Sequence, residues 1–225
     1  MKIGILQTGH APDMLLPDTG DYDAMMARML DGQGFEFETY AVVDQEFPKG
    51  PHAADGWLIT GSKHGAYEDH PWIPPLEELI RAIHTANLPM VGICFGHQII
   101  AQALGGKVVK HPDGWRVGAT QYDIEGTPLT LNAWHQDQVI EAPDGAEIIG
   151  RAEGCDIAAM RIGERIYTVQ PHPEYGATFM QGLLDHRAPG VVPDPLSDHA
   201  RGLLSTHTDN AAMATRIADV FRKGA

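Results

Sequence analysis

The sequence predicts an α/β fold, with a mostly parallel central sheet covered by helices on both faces. Three observations predict it. Short apolar runs alternate with segments of helical periodicity over the first hundred residues. The runs are apolar at consecutive positions, as strands buried on both faces require. Glycine and proline are plentiful, at 25 and 16 of 225 residues, which suits many short loops better than a helical bundle.

In chain order, residues 2–8 (KIGILQT) read as a buried strand, and a Gly/Pro/Asp-rich loop follows over 9–21. Helical spacing holds over 22–30, where Asp21 can cap the start and Gly32 and Gly34 stop the end. Residues 36–43 read as a second strand, and 57–60 as a short apolar run entering a Gly-rich turn. A helix is expected over 74–86, with proline at its start and the stripe Leu76, Leu79, Ile80, Ile83. Residues 89–93 (PMVGI) form another strand, and 95–104 a helix closed by Gly105-Gly106. The texture then changes. Short strand-like pieces occupy 107–110, 116–124, 129–133, 139–141, 146–151, 157–161 and 165–169. A small meander of mostly antiparallel strands is the simplest account. Helices are expected over 177–185, 195–205 and 211–222. Residues 1–225 read as one domain of ordinary size, with 186–225 as a helical C-terminal extension. That extension either caps the domain or builds a homodimer contact.

The bulk charge excludes some roles. A formal charge of −14 is the wrong sign for a general nucleic-acid footprint or for anionic membrane surfaces. It is read as solubility. No run approaches a membrane span, and the start (MKIGILQTGH) lacks the pattern of a secretory signal. A cytoplasmic location is therefore expected. There, a cysteine in a chemically loaded context is more often catalytic than paired. The chain has two, Cys94 and Cys155.

Cys94 has that context. In Val91-Gly92-Ile93-Cys94-Phe95-Gly96-His97-Gln98 a buried strand runs into a glycine-flanked residue and then into a helix. This is the cysteine form of the nucleophile elbow. Side chains at the flanking positions would collide in so sharp a turn. The turn places the sulfur at a helix N-terminus, where the dipole and free amides favour a thiolate. The Phe95 amide then faces the site where an oxyanion would form. Cys155 (EGCDI) lacks such flanks and reads as structural or surface-exposed.

A thiolate nucleophile needs a base that later protonates the leaving amine. With 12 histidines present, type alone decides nothing. His172 stands out in Gln170-Pro171-His172-Pro173-Glu174, at the end of a predicted strand and between two prolines. In extended chain, residues two apart project to the same side, so Glu174 can meet the outer imidazole nitrogen and orient the ring. Other residues near predicted strand tips are weaker candidates for pocket lining: His64, Tyr67, Trp115 and Arg116. Asp198, His199 and His207 read as solvated helix faces. No H-E-x-x-H metal motif is present, and Gly105-Gly106-Lys107 lacks the flanks of a P-loop. No metal and no cofactor are expected.

Together, GICFGHQ (92–98) and QPHPE (170–174) resemble the class I, triad-type glutamine amidotransferases. TGSKHGAYED (60–69) and WHQD (134–137) add weaker matches. The likeness runs from Lys2 to about Phe179. It implies a flavodoxin-like amidotransferase architecture and the triad Cys94, His172 and Glu174. It also implies an oxyanion hole from the amides of Phe95 and Ser62. Ser62 stands where the family has the second glycine of a Gly-Gly-Pro loop. Gln98 matches a residue that helps hold glutamine. Trp134, His135 and Gln136 match the segment that meets the amino-acid end of the substrate, with Trp134 and Gln136 departing from the family's Ser-His-Gly-Asp.

The implied reaction is hydrolysis of a γ-glutamyl amide through a thioester, with no metal. Family members usually pass ammonia to a synthetase, which here would act as a partner in trans. Three readings follow: a stand-alone amidotransferase-like hydrolase acting on glutamine, a γ-glutamyl peptidase acting on glutathione-like compounds, or a non-enzymatic regulatory protein on the same scaffold. The intact triad speaks against the last.

Overall fold

The computed structural model describes residues 1–223; Gly224 and Ala225, the end of the expected extension, lie outside the described residues. The strands are β1 (Lys2–Leu6), β2 (Glu36–Tyr40), β3 (Gly56–Ile59), β4 (Met90–Ile93), β5 (Lys107–Lys110), β6 (Arg116–Ile124), β7 (Thr127–His135), β8 (Asp137–Glu141), β9 (Ala146–Ala152), β10 (Cys155–Ile162) and β11 (Ile166–Val169). The helices are α1 (Leu16–Thr19), α2 (Tyr22–Met29), α3 (Ile73–Thr85), α4 (Phe95–Ala103), α5 (Ala177–His186), α6 (Asp194–Gly202) and α7 (Asn210–Lys223).

Nine strands form one sheet in the order β2-β1-β3-β4-β11-β10-β9-β6-β7. The first five run parallel and the remaining pairings are antiparallel. The two-residue alternation of the strands sorts their side chains into two cores. Trp57, Ile59, Met90 and Ile166 face one layer, with Leu76, Ile80 and Ile83 of α3 and Ile99 and Ile100 of α4. Ile3, Ile5, Leu58, Val91, Ile93 and Val169 face the other, with Met26 of α2 and Met213, Ile217 and Phe221 of α7. Helices thus cover both faces, as the consecutive apolar runs imply. Gly4 is required by packing: a Cβ there would lie 2.4 Å from the Trp57 ring.

The antiparallel part differs from a simple meander. β5 leaves the large sheet and pairs with β8 as a separate ribbon. β9 inserts between β6 and β10, so β6 and β7 form the edge hairpin. Long-range pairing decides this order, and local sequence does not encode it. Strands β7 and β10 are longer than the apolar runs suggest, because ladder pairing continues into the polar hairpin ends. At the β6–β7 turn, Glu125 (φ 56°) and Gly126 (φ 72°) take the paired left-handed conformation that such hairpins favour. The loop over 9–21 contains the four-residue α1. β2 ends at Tyr40 instead of 43, where a tight turn over Val42–Asp44 begins. α7, read as part of an extension, is packed into the core beneath β4 and β11, with Phe221 fully buried. Asp198 and His199 are exposed on α6, as read, whereas His207 is exposed in the loop between α6 and α7 and not on a helix, because α6 ends at Gly202. Among the described residues no helix is long and apolar enough to cross a membrane.

Candidate active site

Three neighbouring parallel strands end at the same edge. β3 pairs with β4 (Ile59 beside Gly92) and β4 with β11 (Ile93 beside Val169). The segments that follow them carry Ser62, Cys94 and His172. Sites of open α/β sheets lie outside the carboxyl ends of their strands.

Cys94 sits between β4 and α4 with φ 53° and ψ −101°, a conformation sparsely populated by residues other than glycine. The glycines on either side explain how the turn is held. A Cβ at Gly92 would come 2.4 Å from the Gly96 carbonyl oxygen, and one at Gly96 would come 2.3 Å from that of Ile59. The Cys94 amide donates to the Val169 carbonyl at 2.8 Å, and the Gly96 amide to that of Thr60 at 3.1 Å. The elbow is therefore fastened to both neighbouring strands. Phe95 opens α4, so its amide is one of the first-turn donors without an intrahelical acceptor.

His172 is 2% exposed, and its amide donates to the Asn132 carbonyl at 2.8 Å. Its Nδ1 lies 2.7 Å from Glu174 Oε1, and both side chains are buried. The ring stacks on Tyr175 with centroids 3.9 Å apart and planes 5° from parallel. Burial alone would lower the pKa of His172. The Glu174 carboxylate and the hydrogen-bonded Cys94 sulfur outweigh it and raise the pKa to about 10. The ring is thus held in its protonated form beside Glu174 and Cys94.

Gly61 lies against this pair: a Cβ there would be 3.0 Å from His172 Cε1 and 3.8 Å from Cys94 Cβ. The next residue, Ser62, donates its hydroxyl to the Thr8 carbonyl at 2.7 Å and accepts the His64 amide at 3.2 Å. Ser62 is not among the described residues with positive φ, so serine in place of glycine strains nothing there.

A cavity of about 490 Å³ opens over Cys94 and His172. Ser62, Gln98, Trp134, His135 and Gln136 all line it, together with His64, Tyr67 and Trp115. His135 is 4% exposed, and neither ring nitrogen closes a hydrogen bond, although the Asp137 backbone lies near. Burial and the charge on His172 push its pKa down to about 3, so the ring is neutral. Gln98 is also tied into the walls of the site. Its amide nitrogen is engaged by the Asp137 carbonyl at 2.8 Å and by Gln170 Oε1 at 3.2 Å. Gln170 in turn directs its amide to Cys94 Sγ at 3.6 Å. Of the weaker candidates, Arg116 lies outside the cavity lining, and its guanidinium covers Gly154. Cys155 is buried in β10, and burial pushes its thiol pKa up to about 12, as suits a structural cysteine.

The sequence profile described as Glutamine amidotransferase class-I matches residues 16–185. The chain belongs to that family. Among curated relatives, the chain is 31% identical to gamma-glutamyl peptidase 4 of Arabidopsis thaliana, over 91% of this chain and 88% of the relative. It is 26% identical to gamma-glutamyl peptidase 3 of the same plant, over 91% and 90%. Among solved structures, a glutamine amido transferase from Methylobacillus flagellatus superposes with a TM-score of 0.78 at 23% identity, covering 100% of this chain and 94% of the other, a likeness of fold. The chain is thereby a cysteine-dependent amidohydrolase.

Several residues at or behind the cavity are not singled out by the sequence. Gln170 stood inside the quoted QPHPE string, where its contact with sulfur has no local signal. Tyr175 followed it, one residue beyond the motif. Lys110, Arg187 and Val191 reach the cavity from distant elements, and no pattern links them to Cys94.

Proposed function

We propose that the chain hydrolyses γ-glutamyl amides through a Cys94 thioester, with His172 as the proton carrier and Glu174 as its orienting partner. The observation that carries this is the buried line from Glu174 through His172 to Cys94 at the elbow. Cys94 Sγ attacks the γ-carbonyl carbon, and the carbonyl electrons move to oxygen. The amides of Phe95 and Ser62 receive that oxyanion. His172 gives its proton to the departing nitrogen, the C–N bond breaks, and the amine leaves. Water then attacks the thioester and passes a proton back to His172. The C–S bond breaks, which releases glutamate and restores the thiolate–imidazolium pair. Gln98, Trp134, His135 and Gln136 contact the γ-glutamyl group, and Gln170 positions the sulfur.

A γ-glutamyl peptide, with a peptide amine as the leaving group, is the substrate class that the cavity supports best. At about 490 Å³ it has the size of sites for ligands larger than one amino acid. Lys63, Lys110 and Arg187 on its walls suit a second carboxylate. The names of the two plant relatives agree. Glutamine as substrate, with ammonia passed to a synthetase in trans, is the competing reading that the family's name favours. The test offers purified protein glutamine and a panel of γ-glutamyl peptides and measures ammonia, glutamate and free peptide. Peptide release exceeding glutamine turnover is expected, with none from Cys94→Ala. Ammonia release as the main activity overturns the choice of leaving group, and full activity in Cys94→Ala overturns the mechanism.

A further inference from the structure

At the mouth of the same cavity, His64, Glu68 and His70 converge. His64 Nδ1 lies 3.4 Å and His70 Nε2 2.7 Å from the same oxygen, Glu68 Oε2. All three donor atoms fall within 4.8 Å of one another. We propose that His64, Glu68 and His70 form a binding site for a divalent transition-metal cation of the Zn²⁺ class, separate from the Cys94 chemistry. Bonds of about 2.0–2.2 Å around a tetrahedral ion set neighbouring ligand atoms about 3.3–3.6 Å apart. The His64–Glu68 separation already lies in that range, and the shorter His70–Glu68 contact opens to it by small side-chain rotations. Two imidazoles and one carboxylate are a borderline donor set that suits zinc better than calcium or magnesium. Three protein ligands leave a further coordination position.

The surroundings hold the site in place. The Glu68 amide donates to the Gly65 carbonyl at 3.0 Å, and the His70 amide to that of Glu68 at 3.1 Å. The His64 amide donates to Ser62 Oγ. Buried Trp72 stacks on the His70 ring with planes 12° apart and meets the His64 ring edge-on. Trp72 also packs on Phe95, the residue after the nucleophile. The two imidazole centroids are 4.2 Å apart, which brings both rings to one side of the turn. No sequence motif announces this cluster, because H-x-x-x-E-x-H converges only in the turn that carries it.

The test titrates the reduced full-length Cys94→Ala variant with Zn²⁺ against a chromophoric chelator, with Co²⁺ as the spectroscopic probe. That background removes the one thiol lining the cavity. One equivalent of Zn²⁺ is expected. The Co²⁺ form should show visible ligand-field bands and no thiolate-to-metal charge-transfer band. His64→Ala and His70→Ala should each weaken binding by more than about tenfold, the least that losing even an outer-sphere partner costs. Glu68→Gln, isosteric and partly exposed, should weaken it while leaving the circular dichroism spectrum unchanged. No binding in the Cys94→Ala background, or binding unaltered in the His64, His70 and Glu68 variants, would overturn the proposal. Neither result depends on turnover, so the assignment stands or falls apart from the hydrolytic reading.

Discussion

At the scale of single residues, His172 carries the sharpest expectation. Its pKa is raised to about 10 by Glu174 and the Cys94 sulfur, against the cost of burial. A raised histidine pKa stabilises the fold fully below its unfolded value of about 6.5. That contribution is lost as pH rises through about 10. Turnover should therefore persist from pH 7 to about 9 and fall above it, as the proton for the leaving amine disappears. Glu174→Gln should bring that fall to lower pH and reduce kcat by about 10²- to 10⁴-fold, as expected when an orienting carboxylate is neutralised. Steady-state pH–rate profiles of both proteins check this; an unchanged profile in Glu174→Gln would remove the carboxylate from the mechanism. At this scale the sequence was informative wherever chemistry is local. Cys94, His172 and Glu174 lie in short strings whose geometry is covalently constrained. Gln170 was not assigned, because its contact with Cys94 joins residues 76 positions apart.

At the scale of elements, the elbow depends on two glycines that fail for different reasons. Gly92 would strike the first turn of its own helix, whereas Gly96 would strike the neighbouring strand at Ile59. Both obstacles are backbone, which cannot rotate away. Gly96→Ala is expected to destabilise the protein by about 1–3 kcal/mol and to displace Cys94. Urea unfolding reads the first effect, and the rate of Cys94 alkylation reads the second. Unchanged values of both would mean that the elbow tolerates the methyl group. Helix and strand positions were legible to within a few residues because burial on both faces writes itself into consecutive apolar runs. The pairing of β5 with β8, and the insertion of β9 between β6 and β10, were not. Edge and hairpin strands of similar composition are interchangeable until long-range contacts choose among them.

At the scale of the whole molecule, two buried neutral histidines make the fold sensitive to acid. His97 of α4 is completely buried against β10 and β11; its Nε2 donates to the Ile157 carbonyl and its Nδ1 accepts from Thr168 Oγ1. Burial lowers its pKa to about 4, and burial with the charge of His172 lowers that of His135 to about 3. A depressed histidine pKa gives stability that is present above about pH 6.5 and lost as pH falls toward the folded value. Each ring then contributes on the order of a few kcal/mol, at about 1.4 kcal/mol per pH unit. The unfolding free energy should decline steeply between about pH 6.5 and 4, and His97→Gln should flatten part of that decline. A flat profile over this range in the parent protein would contradict both assignments. α7 also belongs to this scale. It lies beyond the profile match at 185, yet Ile217 and Phe221 complete the core under β4. The sequence by itself determined the layered α/β class and singled out Cys94, His172 and Glu174 as the candidate triad, because each rests on periodicity or on neighbours along the chain. Only the tertiary structure decided the antiparallel strand order, the burial of α7, the Gln98–Gln170–Cys94 contacts and the His64–Glu68–His70 cluster. Those depend on which distant surfaces meet, and a linear pattern records what a segment can bury, not what it is buried against.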